Sequence, residues 1–208
     1  MHRSLWTTAG VLSAATGMAL GQPQVWSGED FEFVRAPFVD GADPANQDHI
    51  TDLVAIARGP TRGIYNAVSE LGYDATSPAG TAWASGRAAD WQTLTFLPWV
   101  QWAGNNPPGT VGVQAVLHLI EEDIYIDITF QSWGMRAAGG GAFSYTRAFG
   151  PGCTRADLAE PFGELNFFDV SAFLQAFGAM ERAADLNNDM RFDFFDVSEY
   201  LALFGAGC

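Results

Sequence analysis

Residues 185 to 196 read Asp185-Leu-Asn187-Asn-Asp189-Met-Arg191-Phe-Asp193-Phe-Phe-Asp196. Side-chain oxygens fall at positions 1, 3, 5, 9 and 12 of a twelve-residue stretch. A hard cation such as Ca2+ takes about six to eight oxygens in flexible geometry, and a loop of this length supplies them from those positions plus a carbonyl at position 7. The expected ligands are Asp185, Asn187, Asp189, the carbonyl of Arg191, Asp193 through water, and Asp196. Phe192, at position 8, is apolar and suited to pinning the loop to a core. Asp196 falls in the first turn of the helix that should follow, where the positive helix end favours a carboxylate. A polar turn leading into an N-capped helix is the alternative. One residue departs from the pattern: Met190 stands at position 6, where the sharp bend favours glycine, which implies local backbone strain or a modified turn, and a weaker affinity.

The segment after this loop is written twice. Phe-Phe-Asp-Val-Ser occupies 167–171 and again 194–198, 27 positions apart. Val170, Phe173, Leu174 and Phe177 match Val197, Tyr200, Leu201 and Phe204 at helical spacing, and each copy stops at a glycine, Gly178 or Gly205. The stretch before the first copy is a degenerate loop, one residue longer between its end aspartates. Asp157, Glu160, Asn166 and Asp169 are its candidate ligands, and Gly163 eases its bend. Ala159 stands where an oxygen is wanted, so a loop that keeps the turn without metal is the alternative.

These residues require two helices of about ten residues, each preceded by a loop, over residues 153–208. That tail holds six aspartates, four glutamates and three arginines, a net of −7, half of the chain's −14. Such acidity is self-repelling unless a cation sits in it.

Residues 22–150 read as β, and 151–208 as a separate small helical domain divided from it near Pro151-Gly152. The clearest strand is Ile124–Phe130, with Ile and Phe on one face and Tyr125, Asp127 and Thr129 on the other. Val111–Ile120 should pair with it through the turn Glu121-Glu-Asp123. Ala142–Arg147, Asp30–Arg35, Leu53–Arg58 and Thr93–Leu97 are further strand candidates, and Tyr65–Leu71 could form a turn of helix. Short strands separated by Pro- and Gly-rich turns favour a mainly β fold, an antiparallel β-sandwich.

The 208 residues are 48% hydrophobic and only 16% charged, a composition that folds. A pI near 4.3 and the lack of a basic stripe exclude nucleic acid as a partner. Residues 1–21 read as a secretory signal: Arg3, an apolar small-residue stretch from Leu5 to Leu20, and Ala19-Leu-Gly21 at the cleavage point. The stretch is too polar and short for a membrane span, so no span is expected after cleavage, and the mature chain is placed outside the cell or at its surface. Cys153 and Cys208 bracket the tail. In an exported chain they are expected to form a disulfide, with two unpaired thiols as the alternative.

The tail resembles a dockerin, a domain of two tandem repeats that each join a calcium loop to one helix. Asp185, Asn187, Asp189, Asp193 and Asp196 match that family's ligands. Cys153, the twin Phe-Phe-Asp-Val-Ser segments and the closing Gly207-Cys208 are similar to the cysteine-flanked, GC-ended dockerin-like domain at the C-termini of many exported planctomycete proteins. The resemblance implies export, calcium-dependent folding, and attachment to a cohesin-like or cell-surface protein. It places the docking face on the helices, around Ser171, Ala172, Gln175, Ser198, Glu199 and Ala202. Glu122–Ile128, Ser132-Trp-Gly134 and Phe143–Arg147 resemble a module of exported bacterial proteins with assorted C-terminal anchors, which implies no particular activity.

Few residues of the β part suggest catalysis. His118 lies in an apolar run and reads as structural, while His49 follows Asp48 and could pair with it for acid–base work. Glu121, Glu122, Asp123 and Asp127 could supply the two acids of a glycosidase, or simply solvate a turn and strand face. Trp99 and Trp102, beside a Pro-rich loop, are candidates for a surface platform that stacks on sugar rings. The favoured reading is a non-catalytic exported β-sandwich, possessing a polysaccharide-binding face at most, attached through a calcium-stabilised tail. The alternative is a small secreted polysaccharide hydrolase carrying the same anchor.

Overall fold

Alternating apolar residues, punctuated by turns, build two sheets in the first three quarters of the chain. The computed structural model describes residues 23–28 and 30–208, so the expected signal segment lies outside the described residues. The strands are β1 (Gln24–Trp26), β2 (Asp30–Arg35), β3 (Asp48–His49), β4 (Ala55–Arg58), β5 (Ile64–Asn66), β6 (Thr81–Ser85), β7 (Gln114–Leu119), β8 (Ile124–Trp133) and β9 (Phe143–Ala148). One sheet runs β2-β9-β8-β7-β6, with β1 pairing alongside β8, and β3-β4-β5 form a second. Pairing is antiparallel except at β1, which runs parallel to β8 with Gln24 opposite Ile124.

β8 is the spine because it is long and apolar on its inner face. Its Ile126, Ile128 and Phe130 meet Ile56 and Ile64 of the small sheet in one core with Phe33, Trp83 and Tyr145. The outer face is not left to water as alternation suggests. Tyr125 is buried in a second cluster with Ala88 and Val116, because a 3-10 segment, Ala88–Thr93, folds across it. Asp127, on that side, accepts the Ala88 N–H at 2.7 Å.

One expectation for this part is corrected and one is narrowed. Thr93–Leu97 is no strand: its start closes the 3-10 segment and only Leu97 bridges to Trp83. Tyr65 belongs to strand β5, drawn with Ile64 into the core, and the expected turn of helix starts at Asn66, whose carbonyl accepts the N–H of Ser69 at 3.1 Å and of Glu70 at 2.8 Å.

A short helix, α1 (Trp99–Trp102), precedes β7. The tail carries α2 (Phe167–Ala179) and α3 (Phe194–Ala206), each begun by a capping box, Asn166 with Asp169 and Asp193 with Asp196. Phe173 and Tyr200, equivalent positions of the duplication, stack face to face at 4.1 Å and centre the tail's own core. A disulfide joins Cys153 to Cys208 and closes the tail on itself. Among the described residues no helix is long and apolar enough to cross a membrane.

Candidate metal centre

The two loops of the tail share one hydrogen-bonding plan, which is the structural result of the duplication. In the second, Asp185 accepts the N–H of Asp189 and of Met190, both at 3.0 Å. Asp196 accepts Leu186 N–H at 3.0 Å, Asn187 N–H at 3.5 Å and Asp193 N–H at 3.0 Å. In the first, Asp157 accepts Gly163 N–H, and Asp169 accepts Leu158, Ala159 and Asn166 N–H. The end aspartates therefore fold each loop around themselves.

All four end aspartates are buried, with Asp169 and Asp196 fully so. Burial is costly for carboxylates without compensating charge. In the second loop the nearby cation is Arg182, 3.9 Å from Asp185. Burial, followed by repulsion from Asp196, raises the Asp185 pKa against the pull of its amide donors and Arg182. In the first loop the buried Oδ1 of Asp157 has no hydrogen-bond partner. Buried, under-compensated oxygens within an all-oxygen loop fit a hard divalent cation such as calcium.

Met190 takes the conformation expected of glycine, φ 64°, and Asn188 does likewise at 57°. The loop therefore bends where glycine would bend it, with the strain held by the Met190 N–H bond to Asp185 and by Arg182 against the Met190 sulfur. Asn187, Asp189 and the Arg191 residue stay exposed, and Asp193 serves as N-cap through its bond from Phe195 N–H at 2.8 Å. Among the described residues, no three carboxylates of this loop have oxygens all within 4.8 Å of one another. Gathering an ion there requires the loop's carboxylates to draw closer together. In the first loop Glu160 is exposed, Asn166 is committed as N-cap, and Ala159 offers only backbone. Asp157 lies close to Cys153 and Cys208, but both sulfurs are taken by the disulfide.

The other sequence candidates separate. Asp48 does not serve His49. It is buried and held by Arg147 at 2.7 and 2.8 Å and by the Tyr145 hydroxyl at 2.6 Å. His118 stacks on Tyr125 at 4.2 Å and bonds Asp123 at 3.1 Å. Glu122 accepts Thr51 at 2.9 Å. Trp99 and Trp102 do not form the open platform expected of them. Trp99 is only 1% exposed and stacks on Trp133, while half-buried Trp102 stacks on Trp83 and bonds Ser85. The i, i+3 spacing on α1 turns both rings toward the sheet.

A cleft of about 470 Å³ lies between the small sheet and the tail, lined by His49, Thr51, Glu122, Arg182 and Asp185 among others. Burial and then Arg182 push the His49 pKa down to about 4, against the pull of Asp48. The unfolded chain thus binds this proton first, and His49 costs stability as pH falls from 6.5 to about 4. Burial raises Asp185 and Glu122, which contribute with the opposite sign. Comparing wild type with His49→Gln isolates the histidine. The variant should lose less stability over this pH range in urea titrations, and parallel pH curves would count against a buried neutral histidine.

No family model, curated protein or solved structure matches this chain.

Proposed function

We propose that this chain is an exported, non-catalytic protein whose C-terminal domain, dockerin-like and stabilised by calcium, attaches a β-sandwich to a partner protein outside the cell. The observation that carries this reading is a duplicated exposed surface. Phe167 and Phe194 are 75% and 74% exposed, and Leu174 and Leu201 are 62% and 63% exposed. Phe168 and Phe195 are exposed beside them. Each helix thus shows solvent an apolar Phe-Phe head and a leucine two turns on, the same at both copies. Folding alone gives no reason to keep four phenylalanines in water, and contiguous exposed apolar residues mark interaction sites. The occupant that fits is a protein surface, cohesin-like or on the cell surface, with apolar pockets for the rings.

Calcium supports this reading by fixing the loops that set the two helix heads. The second loop, with Asp185, Asn187, Asp189, Arg191, Asp193 and Asp196, is the stronger site, and Asp157, Glu160, Asn166 and Asp169 form the weaker one. The two sheets around a shared core are read as the sandwich. The hydrolase alternative needs two opposed acids free to trade protons. Glu122, Asp123 and Asp127 are instead bonded to Thr51, His118 and the Ala88 N–H.

Calcium at a hundredfold excess over its Kd should stabilise the tail by about 2.7 kcal/mol. Calorimetry with calcium and with a chelator measures this. An unchanged tail transition would remove calcium from the reading. Replacing Phe167, Phe168, Phe194 and Phe195 by serine should leave folding intact and abolish retention on extracellular surface extracts. Retention equal to wild type would overturn the attachment role.

A further inference from the structure

Three loops remote in sequence meet at a second cavity, of about 380 Å³, wholly within the β part. Its polar wall holds Arg58, Arg62 and Arg136, and no aspartate or glutamate lines it. In a chain of net charge −14 with ten basic residues, an acid-free cavity lined by three arginines is a local inversion of the protein's field.

The arginines have different tasks. Arg58 is structural: it donates to the carbonyls of Arg62 at 3.0 Å, Ala142 at 2.7 Å and Gly134 at 2.9 Å, and it lies 3.9 Å over the Trp133 ring. It thereby ties the β4–β5 turn to the β8–β9 loop. The side chains of Arg62 and Arg136 are exposed and make no hydrogen bond or ion pair among the described residues. Both are held at positive φ, 70° and 56°, and Arg136 has ψ −167°, a region that is nearly glycine's alone. Asn105, on the third loop, is also at positive φ, 57°. Strained non-glycine residues at one rim persist only where something else fixes them, and ligand clamps are where they gather.

Trp99, 1% exposed, lines this cavity, and its buried indole N–H has no partner. A buried donor without an acceptor is costly, so this wall of the cavity carries polar strain of its own. The Trp133 ring is already engaged by Arg58 and by Trp99, so stacking is not what the site offers. It offers donors, positively polarised ring edges and the apolar walls of Val100, Pro107 and Pro108.

We propose that this cavity binds a small ring-bearing carboxylate, its oxygens held by Arg62 and Arg136 and its ring against Val100 and the prolines. Guanidinium forks suit carboxylates by geometry as well as charge. This site does not depend on the tail or on calcium.

The test titrates the full mature chain, at fixed ionic strength, with glucuronate, benzoate, glucose and benzyl alcohol, following the Trp99 indole N–H resonance assigned through Trp99→Phe. A saturable shift with at least one carboxylate, and none with its neutral counterpart, is expected. The tighter acid tells whether a sugar or an aromatic ring is preferred. Arg62→Gln and Arg136→Gln should each weaken binding about tenfold, as loss of one charge-assisted bond does. Arg136→Gly should melt higher, through relief of strain, while binding more weakly, a split that a purely structural arginine would not show. The proposal is overturned if neither acid gives a saturable shift, if the neutral compounds act equally, or if Arg136→Gly binds like wild type.

Discussion

Arg147→Met is expected to lower the unfolding free energy by about 3–5 kcal/mol, the cost of stripping the partner from a buried charge. Asp48 on β3 is fully buried, and its two oxygens take Arg147 in bidentate fashion plus the Tyr145 hydroxyl. Arg147 also donates to the carbonyl of Ala148 at 3.0 Å and lies over the Phe31 ring. This network joins the small sheet to the large one, since β3 pairs with β4 while Tyr145 and Arg147 belong to β9. Burial raises the Tyr145 pKa well above the usual tyrosine value, so its hydroxyl keeps the proton it donates to Asp48. All seven tryptophans lie before the tail, so urea unfolding followed by tryptophan fluorescence reads the β part alone. Adding Asp48→Asn should restore part of the loss, because the stranded charge disappears with it. A loss below about 1 kcal/mol in the single variant, the range of exposed pairs, would contradict the bridge between the sheets.

Asp196→Ala is expected to cost the tail about 4 kcal/mol and to remove most of its response to calcium. Without calcium, three loop N–H groups, those of Leu186, Asn187 and Asp193, lose their acceptor, and the capping box of α3 is broken. Asp157→Ala strips two N–H groups, of Cys153 and Gly163, and touches the loop with the poorer ligand set. Its effect on calcium response should be smaller. α2 and α3 dominate the helical circular dichroism, so that signal follows the tail while fluorescence follows the β part. Equal loss of calcium response in the two variants would reverse the ranking of the loops.

Much of the β part is legible in advance where one strand face is strongly apolar. β8, its partner β7, the turn between them, β9 and β2 all fall where alternation places them. β5 and β6 are harder to see: Ile64–Asn66 is buried throughout and Thr81–Ser85 is mostly so, and a strand buried on both faces carries no period of two. Thr93–Leu97 misleads for the converse reason, since its apolar side chains pack from a 3-10 segment and a single bridge. In the tail, the two helices and the disulfide ends are readable because they depend on residues close in sequence or on a simple even count, whereas the helix ends are not: α2 runs through Gly178 to Ala179 and α3 through Gly205 to Ala206.

The sequence by itself determined the local chemistry: twin acidic loops, each leading into a capped helix, and a strand spine of alternating isoleucines. Helix caps, turns and the period of two act over a few residues, so composition and spacing suffice to set them. Only the tertiary structure decided which aspartates are buried, that Asp48 serves Arg147 instead of His49, and that Trp99 is a core ring with an idle N–H. Those facts depend on which remote segments meet. Arg62, Asn105 and Arg136 share one rim because the core brings three loops together, and no local spacing records that encounter.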